Sequence, residues 1–118
     1  MSLVLRQWLD ESQRVVVFTG AGMSTDSGIP DFRSPGGVWT RMAPIMFEDF
    51  LASEDTRIEA WKRKFALDDE IGQPQPNDGH KAISKLVARG KVSTVITQNI
   101  DNLHQNSAID ESQIIELH

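Results

Sequence analysis

The chain has 118 residues, of which 39% are hydrophobic and 25% charged, as is usual for a globular domain. Its formal net charge is −5, so no basic field attracts a nucleic-acid backbone, and we expect no direct nucleic-acid binding. It contains no cysteine, which excludes a disulfide framework. No segment is long and apolar enough to span a membrane, and the first residues lack a secretory-signal pattern, so we expect a cytoplasmic protein. The composition leaves the oligomeric state undefined.

Taken in chain order, the hydrophobic pattern predicts alternating helices and strands. The predicted helices cover residues 2–12, 46–52, 54–68 and 78–89, and the predicted strands cover residues 15–18, 92–97 and 113–118. The first helix has one apolar face, which we expect to pack in the core. A loop rich in proline and glycine is predicted between residues 34 and 45. Strands separated by helical connections are typical of an α/β fold with a parallel sheet.

The first predicted strand runs directly into a segment rich in glycine and small hydroxylated residues. Gly20 and Gly22 let the backbone approach an anion closely, and a helix beginning near Ser24 would offer free N–H groups. The pattern fits the first two positions of a dinucleotide fingerprint, but Thr25 occupies the third. The segment therefore predicts a nucleotide or dinucleotide site at the carboxyl end of a strand. A tight turn with no ligand is the alternative.

A second candidate segment, residues 28–33, combines flexible, rigid, acidic, aromatic and basic residues. Such a loop can fold over a ligand, with Phe32 excluding water and Arg33 meeting a phosphate or carboxylate. The alternative is an ordinary surface turn in which Asp31 and Arg33 form a solvated pair.

Polar side chains also follow the strand at residues 92–97, namely Gln98, Asn99, Asp101 and Asn102. Amides and a carboxylate at the end of a strand suit the recognition of ribose hydroxyls and a carboxamide. The alternative is a helix start, where Asp101 faces the helix dipole. Both interpretations can hold at once.

Four separated segments together resemble the successive motifs of the sirtuin family, the NAD-dependent protein-lysine deacylases. In chain order they are Gly20-Ala21-Gly22-Met23-Ser24, Gly28-Ile29-Pro30-Asp31-Phe32-Arg33, Thr97-Gln98-Asn99-Ile100-Asp101-Asn102-Leu103-His104 and Glu116-Leu117-His118. Their order and wide spacing match the family, and the resemblance covers residues 15–118. It implies a Rossmann-like parallel sheet with flanking helices, the incomplete N-terminal half of a sirtuin catalytic domain. Residues 1–118 would then be part of a single NAD-binding domain from which the zinc module is absent.

The resemblance assigns NAD as the cofactor and the acetylated lysine of a protein or peptide as the substrate, with nicotinamide released. By similarity, His118 is the general base that takes a proton from a ribose hydroxyl. Gln98 and Asn99 would bind the nicotinamide ribose, while the Ile100 backbone and the Asp101 side chain would hold the carboxamide. The implied catalytic residues are His118, Asn99 and Asp101. The implied cofactor-binding residues are Gly20, Ala21, Gly22, Ser24, Thr25, Ile29, Asp31, Phe32, Arg33, Gln98, Asn99, Ile100, Asp101 and His118.

The chain departs from the family pattern in ways that carry their own expectations. Ala108 stands where the family usually has glycine, so a positive φ there would strain the alanine. The family's zinc module uses four cysteines, so zinc is expected in the complete enzyme but has no ligands in this chain. His80 and His104 lack metal-ligand spacing and are assigned no metal. We expect His80 to be structural or to lie beside the ribose, and His104 to pack on the short helix after Asp101.

The resemblance covers about half of the family's catalytic core, so we predict no useful turnover and weak NAD binding for the chain by itself. The branch of the family that removes negatively charged acyl groups has a Tyr-x-x-Arg pattern. This chain has no tyrosine, which favours acetyl over succinyl substrates. Three alternatives stay open: a non-catalytic NAD or ADP-ribose binding module, a mono-ADP-ribosyl transferase on the same scaffold, and a purely structural α/β domain.

Overall fold

The computed structural model describes residues 2–118 and divides into two compact units. The first, called the sheet unit here, comprises Met1–Ser27 and Gln75–His118, and the second, the helical unit, comprises Gly28–Pro74. The helices are α1 (Leu3–Glu11), α2 (Val38–Arg41), α3 (Phe47–Ala52), α4 (Glu54–Ile71), α5 (Asp78–Ala88) and α6 (Leu103–Asn106), and the strands are β1 (Val15–Thr19), β2 (Val92–Thr97) and β3 (Ile114–Glu116). Short 3-10 turns cover Ala21–Met23, Thr25–Ser27 and Glu111–Gln113.

The sheet unit contains a three-stranded sheet in the order β1-β2-β3, and both strand pairs are parallel. The register places Thr19 beside Thr97 and Thr97 beside Glu116, so all three strands end at the same edge. The prediction of an α/β fold with a parallel sheet is therefore confirmed. The strand runs are rich in β-branched residues, which pack well on a pleated surface.

One face of this sheet is buried. Ile83 from α5 packs with Val92, Val95 and Ile109, and partly buried neighbours such as Val17 surround them. Along β1, Val15, Val17 and Thr19 are more buried than Val16 and Phe18, as the strand period of two requires, because successive side chains point to opposite faces. On the other face Val16, Phe18 and Ile115 are exposed.

Helix α5 begins with a capping box and ends as predicted. The Asn77 side chain accepts hydrogen bonds from the backbone N–H groups of Gly79 and His80, and the His80 ring accepts one from the Asn77 N–H. After the helix, Gly90 has a φ of 75°, the left-handed conformation that favours glycine after a helix end. Helix α5 therefore presents His80 in its first turn at a fixed position.

Three sequence expectations need correction. Helix α1 forms, but none of its residues is buried, and Leu3 and Trp8 are 84% and 63% exposed, so its apolar face does not pack in a core. The segment after β1 forms two 3-10 turns of three residues each rather than the expected helix. The predicted loop at residues 34–45 contains the four-residue helix α2, held by a Met42 N–H bond to the Val38 carbonyl.

The helical unit is held largely by side chains that bond to the backbone. Ser53 caps α4 by accepting from the Thr56 N–H, and the Arg57 guanidinium donates to the Phe50 and Leu51 carbonyls at the end of α3. Helix α4 ends before Gly72, which has a φ of 67°. The predicted helices at 46–52 and 54–68 are thus confirmed, with α4 running on to Ile71. Across residues 2–118, no helix has the length and hydropathy needed to cross a bilayer.

Candidate functional site

The ends of β1 and β2 bring the first and third sequence motifs together in the sheet unit. The Gln98 N–H donates to the Thr19 carbonyl at 3.0 Å, so the backbone pairing continues one residue past the strand. The Asn99 side chain then reaches across and donates from Nδ2 to the Gly20 carbonyl at 2.9 Å. Two hydrogen bonds, one from the Gln98 backbone and one from the Asn99 side chain, therefore join the polar segment after β2 to the end of β1 and the glycine that follows it.

Ser24 and Asp101 form the centre of this cluster. Ser24 is 1% exposed, and its hydroxyl donates to Asp101 Oδ2 at 2.6 Å. The other carboxylate oxygen, Oδ1, accepts from the Leu103 N–H at 3.0 Å at the start of α6. Asp101 thus has the helix-start role that the sequence left open, although Asn102 occupies the N-cap position, with a φ of 59°. A carboxylate has about four acceptor positions, so Asp101 retains capacity for a ligand donor.

His80 lies beside Ser24 and is 0% exposed. Its Nδ1 accepts from the Asn77 N–H at 3.2 Å, so in the neutral ring the proton is on Nε2, which faces Ser24 Oγ at 3.5 Å. Burial lowers the pKa of His80, and the nearby Asp101 carboxylate partly offsets that effect. The net lowering of the pKa favours the neutral ring. Its Nε2–H is a weak donor to Ser24 Oγ, and the Ser24 hydroxyl itself donates to Asp101.

The two glycines of the first motif differ in their surroundings. A Cβ on Gly20 would lie 2.9 Å from Gln98 Oε1, so this position must stay free of a side chain. A Cβ on Gly22 would meet nothing within 4 Å, and Ala21, Gly22 and Thr25 are all exposed. The backbone there is open to an anionic group, as the predicted NAD pyrophosphate requires. These residues fit the cofactor that the sequence implies.

The remaining residues of the third motif line the open side of the cluster. Gln98 is exposed, and Ile100 is 74% exposed although it is apolar, while Asn99 and Asp101 are half-buried. An exposed apolar residue next to half-buried polar groups suits a ligand with a flat ring and an amide. The arrangement fits the nicotinamide end of NAD.

His118 follows β3 at the same edge of the sheet. The preceding residue, Leu117, donates its N–H to the Thr97 carbonyl at 3.0 Å, which places the chain beside the end of β2. His118 itself is exposed.

The other four predicted cofactor-binding residues, Ile29, Asp31, Phe32 and Arg33, belong to the helical unit. There the Arg33 guanidinium lies over the Trp39 ring at 5.1 Å, and Phe32 meets the same ring edge-on at 6.0 Å. Asp31 accepts from the Ser34 hydroxyl, and its carbonyl accepts from the Val38 N–H at 3.0 Å. The loop therefore has its own internal contacts and is more than a solvated pair of Asp31 and Arg33.

Several residues of the cluster were missed or assigned a lesser role from the sequence. They are Thr19, Asn77, Thr97 and His104, with His80 expected only as a neighbour. The spacing of Asn77 and His80 is that of a capping box, which could have placed the histidine against the loop before α5. Asn77 also donates to the Met23 carbonyl and to Ser27 Oγ, so it holds the 3-10 turns beside the helix. Among residues 2–118, no group of three or more potential ligands could hold a metal ion.

Comparison with known proteins identifies a consistent set of relatives. The profile of the Sir2 family matches residues 20–118. "NAD-dependent protein deacetylase 1" of Bradyrhizobium diazoefficiens is 52% identical over 114 residues, which cover 97% of this chain and 45% of that protein. "NAD-dependent protein deacetylase" of Rhodopseudomonas palustris is 51% identical, with the same coverage. The chain thus spans about half the length of the curated relatives it matches.

Solved structures agree with the sequence comparison. A structure described as concerning the mechanism and regulation of Sir2 enzymes matches with a TM-score of 0.85 and 36% identity, over 98% of this chain and 44% of that chain. A mutant Sir2 homologue in complex with ADP-ribose matches with a TM-score of 0.86 and 32% identity, over 100% of this chain and 47% of that chain. A Sir2 mutant with a p53 peptide and NAD has a TM-score of 0.78 and 36% identity, over 99% of this chain and 45% of its own.

Proposed function

This chain belongs to the Sir2 family, and we propose that it supplies the NAD-binding part of an NAD-dependent protein-lysine deacetylase. The observation that carries the proposal is the buried cluster at the strand ends, where Ser24 donates to Asp101 and His80 and Asn99 lie against the same serine. This cluster adjoins the open backbone of Gly22. The names of the two most similar bacterial relatives described above support the same reaction.

The residues of the sheet unit divide between the two ends of the cofactor. The backbone of Ala21 and Gly22, with Thr25, is proposed to bind the pyrophosphate, because these residues are exposed and nothing lies within 4 Å of the position that a Cβ on Gly22 would take. Asp101 is proposed to accept from the amide of nicotinamide, with the backbone of Ile100 beside it. A carboxylate acceptor discriminates nicotinamide from nicotinic acid, since the acid would bring a second negative charge.

NAD would supply a ribose carbon that is activated by a good leaving group, nicotinamide. Gln98 and Asn99 are proposed to bind the hydroxyls of this ribose, and their positions are fixed by the Gln98 bond to Thr19 and the Asn99 bond to Gly20. His118 is proposed to take a proton from a ribose hydroxyl through its exposed imidazole.

The proposed substrate is the acetylated lysine of a protein or peptide. One structural neighbour described above was solved with a p53 peptide and NAD, which supports a peptide as the carrier of the acetylated lysine. The absence of tyrosine from this chain favours acetyl over succinyl groups. The predicted cofactor contacts of Ile29, Asp31, Phe32 and Arg33 stay predictions.

The experiment that tests the proposal joins residues 1–118 to the part of the Bradyrhizobium diazoefficiens relative that this chain does not match. We expect the chimera to remove acetyl from an acetyl-lysine peptide only when NAD is added, with nicotinamide and an acetylated ADP-ribose as products. His118→Ala should abolish the release of deacetylated peptide. An inactive chimera, measured beside the active relative in the same assay, would contradict the proposal.

The same assay separates the alternatives that the sequence left open. Intact NAD binding with unchanged deacetylation in His118→Ala would indicate that this histidine is not the base. Transfer of label from NAD to the peptide would indicate a mono-ADP-ribosyl transferase. Calorimetric titration of the 118-residue chain with NAD tests the separate prediction that the chain alone binds weakly, and micromolar affinity would contradict it.

A further inference from the structure

Behind the proposed cofactor site lies a buried histidine that the proposed reaction does not use. His104, in α6, is 1% exposed, and its Nε2 lies 2.9 Å from Thr19 Oγ1 at the end of β1. Thr19 Oγ1 lies 2.8 Å from Thr97 Oγ1 at the end of β2. Both threonines are buried, at 4% and 3% exposure, and they are register partners in the sheet. The imidazole therefore bonds to the Thr19 hydroxyl, which in turn donates to the Thr97 hydroxyl and so joins the two strand ends.

The hydrogen bonds continue from the threonine pair to Asn99, in the polar segment that follows β2. Thr97 Oγ1 accepts from the Asn99 backbone N–H at 3.0 Å. The Asn99 side chain in turn donates to the Gly20 carbonyl and lies 3.4 Å from Ser24 Oγ. Three successive short contacts thus lead from the His104 ring to the backbone of a residue proposed to bind the ribose. Each contact is within ordinary hydrogen-bond distance.

The surroundings of the His104 ring favour its neutral form. Its second nitrogen, Nδ1, is buried and has no hydrogen-bond partner among residues 2–118. A second proton would therefore create a buried N–H without an acceptor, which is costly. The ring also packs edge-on against His80 at 5.1 Å, and a cation there would face another buried imidazole. Burial lowers the pKa of His104, His80 lowers it further, and Asp101 partly offsets both effects.

We propose that His104 is a positioning residue: as a neutral imidazole it fixes the Thr19–Thr97 hydroxyl pair and thereby holds the Asn99 backbone in place at the end of β2. This inference rests on the proposed function for the role of Asn99, but the chain of contacts exists independently of it. Fixing the backbone of a binding residue matters because a displacement of about 1 Å can cost a large part of the rate.

The first test measures the position of Asn99 in the 118-residue chain and needs no enzymatic activity. Thr19→Val keeps the side-chain shape and removes the hydroxyl, and His104→Leu removes the ring bond. We expect both to shift the Asn99 amide resonance and to raise its hydrogen-exchange rate about tenfold or more, because the hydrogen-bonding of that amide is loosened. Thr94→Val, on the same strand outside this chain of contacts, is the matched control and should leave the Asn99 amide unchanged.

The second test measures rates in the chimera described above. Thr19→Val and His104→Leu should lower kcat about tenfold, while the KM for the peptide changes less than about twofold. His104→Gln, whose amide can reach the Thr19 hydroxyl, should restore most of the rate. A role limited to folding would instead lower the melting temperature of all three variants without this rescue.

The outcomes separate the inference from the function on which it rests. An Asn99 amide that is unaffected by Thr19→Val and His104→Leu would overturn the inference, as would an unchanged kcat in an active chimera. An inactive chimera in which the amide still responds to both variants would contradict the proposed function and leave the positioning role supported.

Discussion

The sheet unit buries polar as well as apolar side chains, whereas the helical unit buries few of either. The buried apolar residues Ile83, Val92, Val95, Leu103 and Ile109 all belong to the sheet unit, and Ser24, His80 and His104 are buried beside them. In the described part of the helical unit, Val38 is the buried hydrophobic residue, while the aromatic residues Phe47, Trp61 and Phe65 are exposed.

This difference shows what a pre-formed polar site requires. A buried serine and histidine and a half-buried carboxylate keep fixed positions only where close packing prevents them from rotating toward water. In the sheet unit that packing comes from the covered face of the sheet and from α5. In the helical unit the elements are held by local bonds such as Ser53 to Thr56 and Arg57 to the end of α3. The two units should therefore respond very differently to the same substitution.

The largest difference is expected for leucine truncation. Leu103 is 0% exposed and Leu51 is 61% exposed. Leu103→Ala should lower the free energy of unfolding by about 2–5 kcal/mol, because it removes buried surface and leaves a cavity. Leu51→Ala should change it by no more than about 0.5 kcal/mol, as is usual for surface positions. Urea unfolding of the two variants measures both values, and equal losses would show that the helical unit has a core at Leu51.

A second large effect should follow from lowering the pH. The folded state holds His80 and His104 neutral, with their pKa values lowered mainly by burial, whereas in the unfolded chain they titrate near their ordinary value. Below about pH 6.5 the unfolded state therefore binds more protons, and the free energy of unfolding should fall by up to about 1.4 kcal/mol per pH unit for each histidine. Above about pH 7 this contribution should be constant.

Unfolding midpoints in urea at a series of pH values test this expectation. His104→Gln should reduce the slope between about pH 6.5 and pH 5, since one of the two buried titrations is removed. A slope that His104→Gln leaves unchanged would contradict the buried neutral ring.

A smaller effect is expected at the turn after α6. Ala108 has a φ of 68°, a conformation that costs a residue with a Cβ roughly 1–2 kcal/mol. Ala108→Gly should therefore raise the free energy of unfolding by about 1 kcal/mol. The same change at Ala82, an exposed position inside α5, should lower it by about 1 kcal/mol. Thermal unfolding that gives both changes the same sign would contradict the strain at Ala108.

Ala108 also illustrates how much the sequence could predict. The expectation of strain came from comparing the chain with a family pattern, and the positive φ confirms the condition on which it depended. The bounds of β2 and the start of α5 were predicted because a β-branched run and the apolar spacing of a helix are local signals. The parallel pairing followed from the helical connections between strands.

What the sequence did not predict depends on contacts between distant segments. Helix α1 has an apolar face, but its pattern cannot say whether another element covers that face. The 3-10 turns after β1 lie where Asn77 bonds to Met23, 54 positions earlier, and to Ser27, 50 positions earlier. The buried ring of His104 likewise depends on Thr19, 85 positions earlier. The sequence therefore predicted the motif residues of the candidate site, but it did not predict the residues that hold those motif residues in position.

The smallest effect should come from an exposed ion pair in the helical unit. Lys64 Nζ lies 2.7 Å from Asp68 Oδ2 on α4, and both side chains are more than half exposed. A double-mutant cycle with Lys64→Met and Asp68→Asn should give a coupling energy of about 0.3–0.5 kcal/mol, because water screens the charges and ordering the side chains costs entropy. In about 1 M salt the coupling should vanish. A coupling above about 1 kcal/mol that survives salt would mean that this pair is shielded from water, and the contrast between the two units would then not extend to their charged groups.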